Sequence, residues 1–429
     1  MTDPLKHQDI TKLSHAAAKA TRSTVSLCCL LLASLITEVH AYTPQELMDA
    51  AVQVHPSIKA ADQSIDAASK GVDAAKGLYW PTLSATLEAS SDKRNAIPAR
   101  YLRLEQSLWD GGYTAATVSA ADAQVSVAWA QKEQQIHQLR LQVVEAWQKA
   151  HVALGRVSVA ELHARRLNEH EAMMARRIQA EASTAVEMQL IRSQILQAVI
   201  ERKRAKTSFA LAVKKLSQLT GKSDIDAALQ KSSVEPPAAS AEERQQLLAL
   251  NWLSIVKSQA PVVVAQAQVE QGFKQLEQKR KEAGPQVFAR LERGIGSDAT
   301  SNGFVGVRYS FNAGGAQASN VAAVEAKVGA LQSEADSIRL EVQDIIERDL
   351  GELAESSLRH ENLSLAVQSS REIYESYVRQ FVAGRKSWLD VMNALGTVAS
   401  NEYALNESLI TYAAALLRLK LYVAAAPQR

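Results

Sequence analysis

Residues 139–167 read LRLQVVEAWQKAHVALGRVSVAELHARRL. Leu139, Val143, Ala146, Ala150, Ala153, Val157, Ala160, Ala164 and Leu167 recur in alternating steps of four and three. That seven-residue beat is the seam of a coiled coil. After a polar break at Glu181 to Thr184 it resumes at Met188, Ile191, Ile195, Ala198, Ala205, Phe209, Ala212, Leu216 and Leu219, with Arg202 as the one charged beat. Between Gly112 and Leu219 the only further glycine is Gly155, and no proline lies between Pro98 and Pro236, so nothing in the segment stops a helix. The pattern predicts two long antiparallel helices joined by a tight tip near residues 180–186. At about 1.5 Å per residue the first reaches roughly 100 Å, more than a globular core requires.

Outward from this hairpin the same order of elements occurs twice. Pro44 opens a helical pattern over residues 44–77, which Pro81 ends. Leu83, Ala85, Leu87 and Ala89 then alternate with Ser84, Thr86, Glu88 and Ser90, the period of a strand with one apolar face. A second strand carries Leu102, Leu104 and Leu108, and Asp110-Gly111-Gly112 turns into the long helix. In the second half a helix begins near Trp252 and Pro285 precedes a strand with Val287, Ala289 and Leu291. A further strand carries Val305, Val307, Tyr309 and Phe311, and Asn312-Ala313-Gly314-Gly315 makes the turn. Pro56 and Pro261 lie 205 residues apart, Pro81 and Pro285 204, and Gly112 and Gly315, like Glu187 and Asp390, 203. One helix–strand–strand–helix–helix unit of about 204 residues is therefore present twice. The expected division is residues 42–221 as the first repeat, with strands at about 82–90 and 100–109, then a connector over 222–250. The second repeat follows over 251–426, with strands at about 286–293 and 303–311.

The composition suits this reading. Aromatic residues are 5% of 429, and the formal charge of +2 gives no general attraction to nucleic acid. Lys19 and Arg22 precede an apolar run from Val25 to Ile36, and Val39-His40-Ala41 has the form of a cleavage site, so residues 1–41 are expected to be a secretory signal peptide. The run is too short to cross a bilayer, which needs about 20 apolar residues. Both cysteines, Cys28 and Cys29, fall within it, so the mature chain is expected to carry neither a disulfide nor a lipid anchor. No later stretch is a membrane helix by length. A mature chain that enters a membrane must do so as strands.

Four strands do not close a barrel, and transmembrane barrels begin at eight. Closure by copies of the same chain is the way to seal an apolar-faced sheet of this size. Tyr79, Trp80, Trp109, Phe288 and Phe311 lie near the strand ends, where interfacial aromatics are expected. The duplication, the Leu108-Trp109-Asp110-Gly111-Gly112 and Phe311-Asn312-Ala313-Gly314-Gly315 turns, and the segment Phe381-Val-Ala-Gly384-Arg-Lys386-Ser-Trp-Leu-Asp390-Val together resemble the TolC family of outer-membrane channels over the whole mature chain. The likeness is greatest to members that serve type I secretion of large adhesins. It implies a mainly α chain with a small β part, assembled as a trimer. Twelve strands would form one barrel in outer-membrane lipid, and the helices one periplasmic tunnel. The implied partners are a periplasmic adaptor, an inner-membrane ABC transporter and a secreted protein cargo.

The resemblance also assigns residues. Asp390 would form an acidic ring at the periplasmic entrance, Lys386 would hold it, and Glu187 would be the partner of Lys386 at the first tip. Phe381 takes the aromatic position, and Asn393 stands where some relatives have a second acid. Glu181, Ala182 and Ser183, with Gly384, Arg385 and Ser387, would dock the adaptor. Because Glu181 replaces Gly384, the two tips are expected to differ. Gly111, Gly112, Gly314 and Gly315 would turn the chain into its long helices. No catalytic motif, cofactor site or metal-ligand spacing is present; His137, His151, His163 and His170 lie on one helix without a ligand set. Gly294-Ile-Gly296 lacks the strand–helix setting of a nucleotide loop, and the basic run Arg202-Lys203-Arg204 reads as a solvated helix face. Two other functions fit parts of the pattern. One is a drug or metal efflux duct; the other is a pore-less periplasmic scaffold, against which the duplication and the leader argue.

Overall fold

The structure is a computed structural model, and it describes residues 42–87, 100–232, 234, 237, 240–295, 300–309 and 315–425. The expected signal peptide, Glu88 to Ala99, and Phe311 with its turn as far as Gly314 lie outside the described residues.

Helix α1 (Pro44–Val54) starts in a capping box in which Thr43 and Glu46 each satisfy the other's backbone N–H. The expected single helix over 44–77 is in fact two, because His55 is extended and α2 (Pro56–Gly77) begins at the proline. Proline has no N–H to continue the ladder and forces the residue before it out of the helical region. Strands β1 (Thr82–Leu87) and β2 (Arg100–Trp109) follow, then α3 (Tyr113–Gln179) and α4 (Ala185–Thr220). The connector is partly helical, with α5 (Ile225–Lys231) and α6 (Ala241–Leu248), and α7 (Trp252–Lys257) opens the second repeat. The second unit runs through α8 (Ala260–Glu282), β3 (Gln286–Gly294), β4 (Ser301–Arg308), α9 (Ala316–Val382) and α10 (Trp388–Ala424). Helices α3 and α9 each have 67 residues, which at 1.5 Å rise gives the length of roughly 100 Å expected from the sequence.

The seam residues do what the heptad requires. Leu139, Val143, Ala146, Ala150, Ala153, Ala160 and Leu167 are buried on α3, and Met188, Ile191, Ala198, Ala205, Leu216 and Leu219 on α4. Gly155, the single glycine inside α3, meets the Asn406 side chain of α10; a methyl group there would overlap the amide. In the tip half the helices lie side by side in the order α4, α3, α10, α9. In the sheet half the order is α2, α3, α8, α9. The core lies in three places. Two clusters flank the connector, one holding Leu139, Trp147, Leu219 and Ile225, the other Ile346, Leu353, Leu416 and Leu419. The third fills the tips.

The strands form one antiparallel sheet in sequence order, which pairs the two repeats through β2 and β3 and leaves β1 and β4 as edges. The register puts Leu83, Leu104 and Leu291 in one row and Val287 beside Val307 on the same face, with a bulge between Ser107 and Trp109. On the opposite face Ser84, Arg103, Glu292 and Asn302 line up. The sheet is inside out for a protein in water. Val305 is 77% exposed and Leu87 74%, while the Glu292 and Arg290 side chains are 22% and 26% exposed. Tyr79, Trp80, Trp109 and Tyr309 stand exposed at the end where the strands meet the helices. Phe288, expected in that belt, instead points to the polar face, since it alternates with Val287 and Ala289.

Candidate functional site

The chain offers two candidate sites, the helical tips and the faces of the sheet. At the first tip α3 ends with Glu181 in the left-handed region at φ 55°. The Ala182 N–H donates to the Arg177 carbonyl at 2.8 Å and the Glu181 N–H to the Ile178 carbonyl at 3.0 Å. At the second tip Gly384 has φ 73°, the Arg385 N–H donates to the Gln380 carbonyl at 2.8 Å, and the Gly384 N–H to the Phe381 carbonyl at 3.0 Å. Both are the same helix-ending turn with paired reverse bonds. The expected difference between the tips is therefore absent from the backbone: Glu181 adopts the conformation that Gly384 adopts freely, at a cost of about 1–2 kcal/mol.

The returning helices start alike as well. The Thr184 N–H donates to the Glu187 carboxylate at 2.8 Å, and the Glu187 N–H to the Thr184 hydroxyl at 3.4 Å. The Ser387 N–H and hydroxyl donate to Asp390 at 3.2 and 2.8 Å, and the Asp390 N–H donates back to Ser387 at 3.2 Å. Both acids thus close capping boxes. The Ser387 hydroxyl and N–H, helped by the nearby Lys386 charge, hold the Asp390 carboxyl below the ordinary aspartate range. Within one chain Lys386 does not pair with Glu187, whose carboxylate serves the Thr184 cap; the Lys386 ammonium lies 4.4 Å from the centre of the Tyr377 ring. Asn393, Arg385, Gly384, Glu181 and Ala182 are exposed, and Ser183 accepts from the Arg177 guanidinium at 3.0 Å.

Phe381 is not on a free surface. It is buried, 4.9 Å from Trp388 ring to ring, with the Arg177 guanidinium 4.7 Å from its centre. His170 of α3 hydrogen-bonds the Tyr374 hydroxyl of α9 and meets the Trp388 ring edge-on, so this core joins the two hairpins. Burial lowers the His170 pKa and raises that of Tyr374 to about 12, keeping both neutral. Further along, Glu402 of α10 accepts from Arg166 of α3 at 3.0 Å and from Arg371 of α9 at 2.6 Å. Burial alone would raise its pKa, but the two guanidiniums outweigh this and keep it low. No local pattern marks these cross-hairpin groups, because their partners lie tens to hundreds of positions apart. The helical histidines are packing residues: His151 stacks beside Trp147 and bonds Ser232, and His137 meets Tyr422. Among the described residues no three metal-ligating side chains converge.

Where strands meet helices, Gly111 and Gly112 have φ of 65° and 86°, and Gly315 has φ 70°. The Asp110 carboxylate accepts from the N–H groups of Gly112 and Thr114 at 3.0 and 2.8 Å. This redirects the chain from sheet to helix in a few residues.

The family model described as outer membrane efflux protein matches residues 47–222, the span of the first repeat up to the end of its helical hairpin. The chain superposes on VceC, an outer membrane protein of Vibrio cholerae, with a TM-score of 0.72 at 15% identity, covering 89% of this chain and 95% of that one. The chain has the fold of the TolC-type outer-membrane channels. The MtrE outer membrane channel of Neisseria gonorrhoeae in its open state gives a TM-score of 0.70 at 15% identity, over 90% and 93% of the two chains. A membrane protein of Pseudomonas aeruginosa gives 0.74 at 16%, over 89% and 93%. Among curated proteins, none matches the sequence. The TolC-type fold accounts for the duplication: each repeat supplies two strands and one long hairpin to a common sheet and a common row of helices.

Proposed function

We propose that three copies of this chain form an outer-membrane duct whose helices extend the pore through the periplasm, and that the duct exports a protein in type I secretion. The observation that carries the duct reading is the inside-out sheet. Leucines and valines stand out on one face, charges cluster on the other, and among the described residues neither edge strand has a second partner. Such a sheet is stable only with lipid on the apolar face and another copy at each edge. The helices support the same closure. The outermost members of the row, α4 and α9, expose Leu196, Ile200 and Leu211, and Leu340, Leu358 and Leu365. Those stripes would meet between copies in a head-to-tail ring.

At the tips, three Asp390 carboxylates around one axis would favour cations and repel one another. Lys386, which does not pair with Glu187 within its own chain, would bond across to a neighbouring hairpin and hold the entrance closed. The exposed turns at Glu181 to Ser183 and Gly384 to Ser387 would seat a periplasmic adaptor of an ABC transporter. The match to a family described by efflux favours a second reading, a duct for small molecules or metals driven by another pump. Outer-membrane fractions that yield a heat-dissociable trimer conducting ions in planar bilayers support the duct; a soluble periplasmic monomer contradicts it. Crosslinking the tagged protein in cells then separates the cargoes: an ABC transporter and its adaptor identify secretion, a proton-driven pump identifies efflux.

A further inference from the structure

Among its described residues the polar face of the sheet carries more positive charge than it neutralises. The Arg103 Nε donates to Glu292 at 2.7 Å, and the Arg308 Nη2 to Glu105 at 3.0 Å. Arg290 lies 3.3 Å from the same Glu292 oxygen that Arg103 uses, and its buried Nε makes no hydrogen bond. Among the described residues of this face, three arginines thus meet two glutamates. Two of these arginines, Arg290 and Arg308, also lie against phenylalanine rings. The Arg290 guanidinium is 5.0 Å from the centre of Phe304 and 5.6 Å from Phe288, and Arg308 is 4.8 Å from Phe288. Phe304, Arg290, Phe288 and Arg308 therefore form an alternating ladder across β3 and β4. Gly306 makes room for it: a Cβ there would come within 2.8 Å of the Phe288 ring. The hairpin of the first repeat has Thr82, Ser84, Thr86 and Ser107 on this face, with a single stacked pair, Arg103 4.9 Å from the centre of Tyr101, in place of the ladder. Two phenylalanines on the polar side of a membrane sheet are explained by what they orient. Stacking occupies the guanidinium planes and leaves N–H edges for anions.

We propose that Arg290 and Arg308, braced by Phe288 and Phe304, form an anion-selecting belt inside the barrel, suited to cargo rich in carboxylates. The belt rests on the trimeric duct reading, in which this face lines the lumen and three copies bring three ladders together. A low-dielectric wall then focuses the surplus charge on the pore. It opposes the acidic tips, so the duct would meet its cargo with one sign at the entrance and the other at the exit.

The test is the zero-current potential of the full-length trimer across a potassium chloride gradient, measured in an Asp390→Ala background that removes the acidic ring. The combined Arg290→Gln and Arg308→Gln variant should lower the chloride-to-potassium permeability ratio roughly threefold or more. The Arg290→Lys and Arg308→Lys variant should keep the parent ratio. A conducting trimer whose ratio is unchanged by the glutamines overturns the belt. A parent that does not conduct contradicts the duct itself. A second measurement needs no variant: citrate added on the side of the strand loops should reduce the parent current more than citrate added on the side of the tips, and equal or absent block overturns the proposal.

Discussion

At the scale of single residues, the tip turn isolates one strained position. Glu181 is the only described non-glycine residue with positive φ, in a turn whose twin uses Gly384. Glu181→Gly should stabilise the protein by about 1 kcal/mol, and Gly384→Ala should destabilise it by a similar amount, read as shifts in thermal dissociation of the assembly. The sequence showed the mismatch at these positions but suggested different turns. Residue type alone does not reveal that the surrounding hydrogen bonds impose the glycine conformation on a glutamate. His151 gives a pH signature. Burial drops its pKa to about 4 from the ordinary value of 6.5, against a smaller opposing contribution from its bond to the Trp147 carbonyl. A depressed histidine binds its proton more weakly when folded than when unfolded, so it contributes nothing adverse above pH 6.5 and destabilises progressively as pH falls toward 4. Between pH 6.5 and pH 5 this one group should cost about 2 kcal/mol. His137, His163 and His170 are shifted in the same direction. Thermal dissociation at the two pH values, compared with His151→Gln, checks this: the variant should lose less on acidification.

At the scale of elements, the long hairpins were the most legible part of the chain. A seven-residue beat without helix breakers has one physical solution, and the buried seam residues of α3 and α4 are those the beat selects. Pro56 marks the break between α1 and α2, since it forces His55 out of the helical region although the apolar period continues across it. The strands were legible from their period of two, and for Phe288 parity decides the face while aromatic character suggests the other one. What the sequence did not contain is the cross-hairpin bonding. Glu402 joins α10 to α3 and α9, and Glu402→Gln should weaken that junction by about 2 kcal/mol, measured by thermal dissociation. At the tips, Lys386→Ala should raise single-channel conductance by freeing the entrance. Conductance unchanged in both Lys386→Ala and Asp390→Ala would remove these residues from the gate.

At the scale of the whole molecule, the fold followed from counting. Four strands in two copies of one unit are too few to close, and among the described residues nothing covers their apolar face. The β1 and β4 edges are separated by two intervening strands, about 14 Å, so side chains on them cannot be joined within one chain. Closure between copies puts the same edges side by side. Both natural cysteines, Cys28 and Cys29, fall in residues 1–41, so in a Cys28→Ser, Cys29→Ser background the introduced cysteines in the strands report alone. The direct measurement is oxidative crosslinking in outer-membrane fractions, with one cysteine at Ser84 and a second at Asn302, Phe304 or Gly306 in turn. A closed ring predicts that at least one pairing yields covalent trimers, with none forming from either cysteine alone. Monomer at every pairing, from protein that reaches the outer membrane, would contradict closure by copies of this chain.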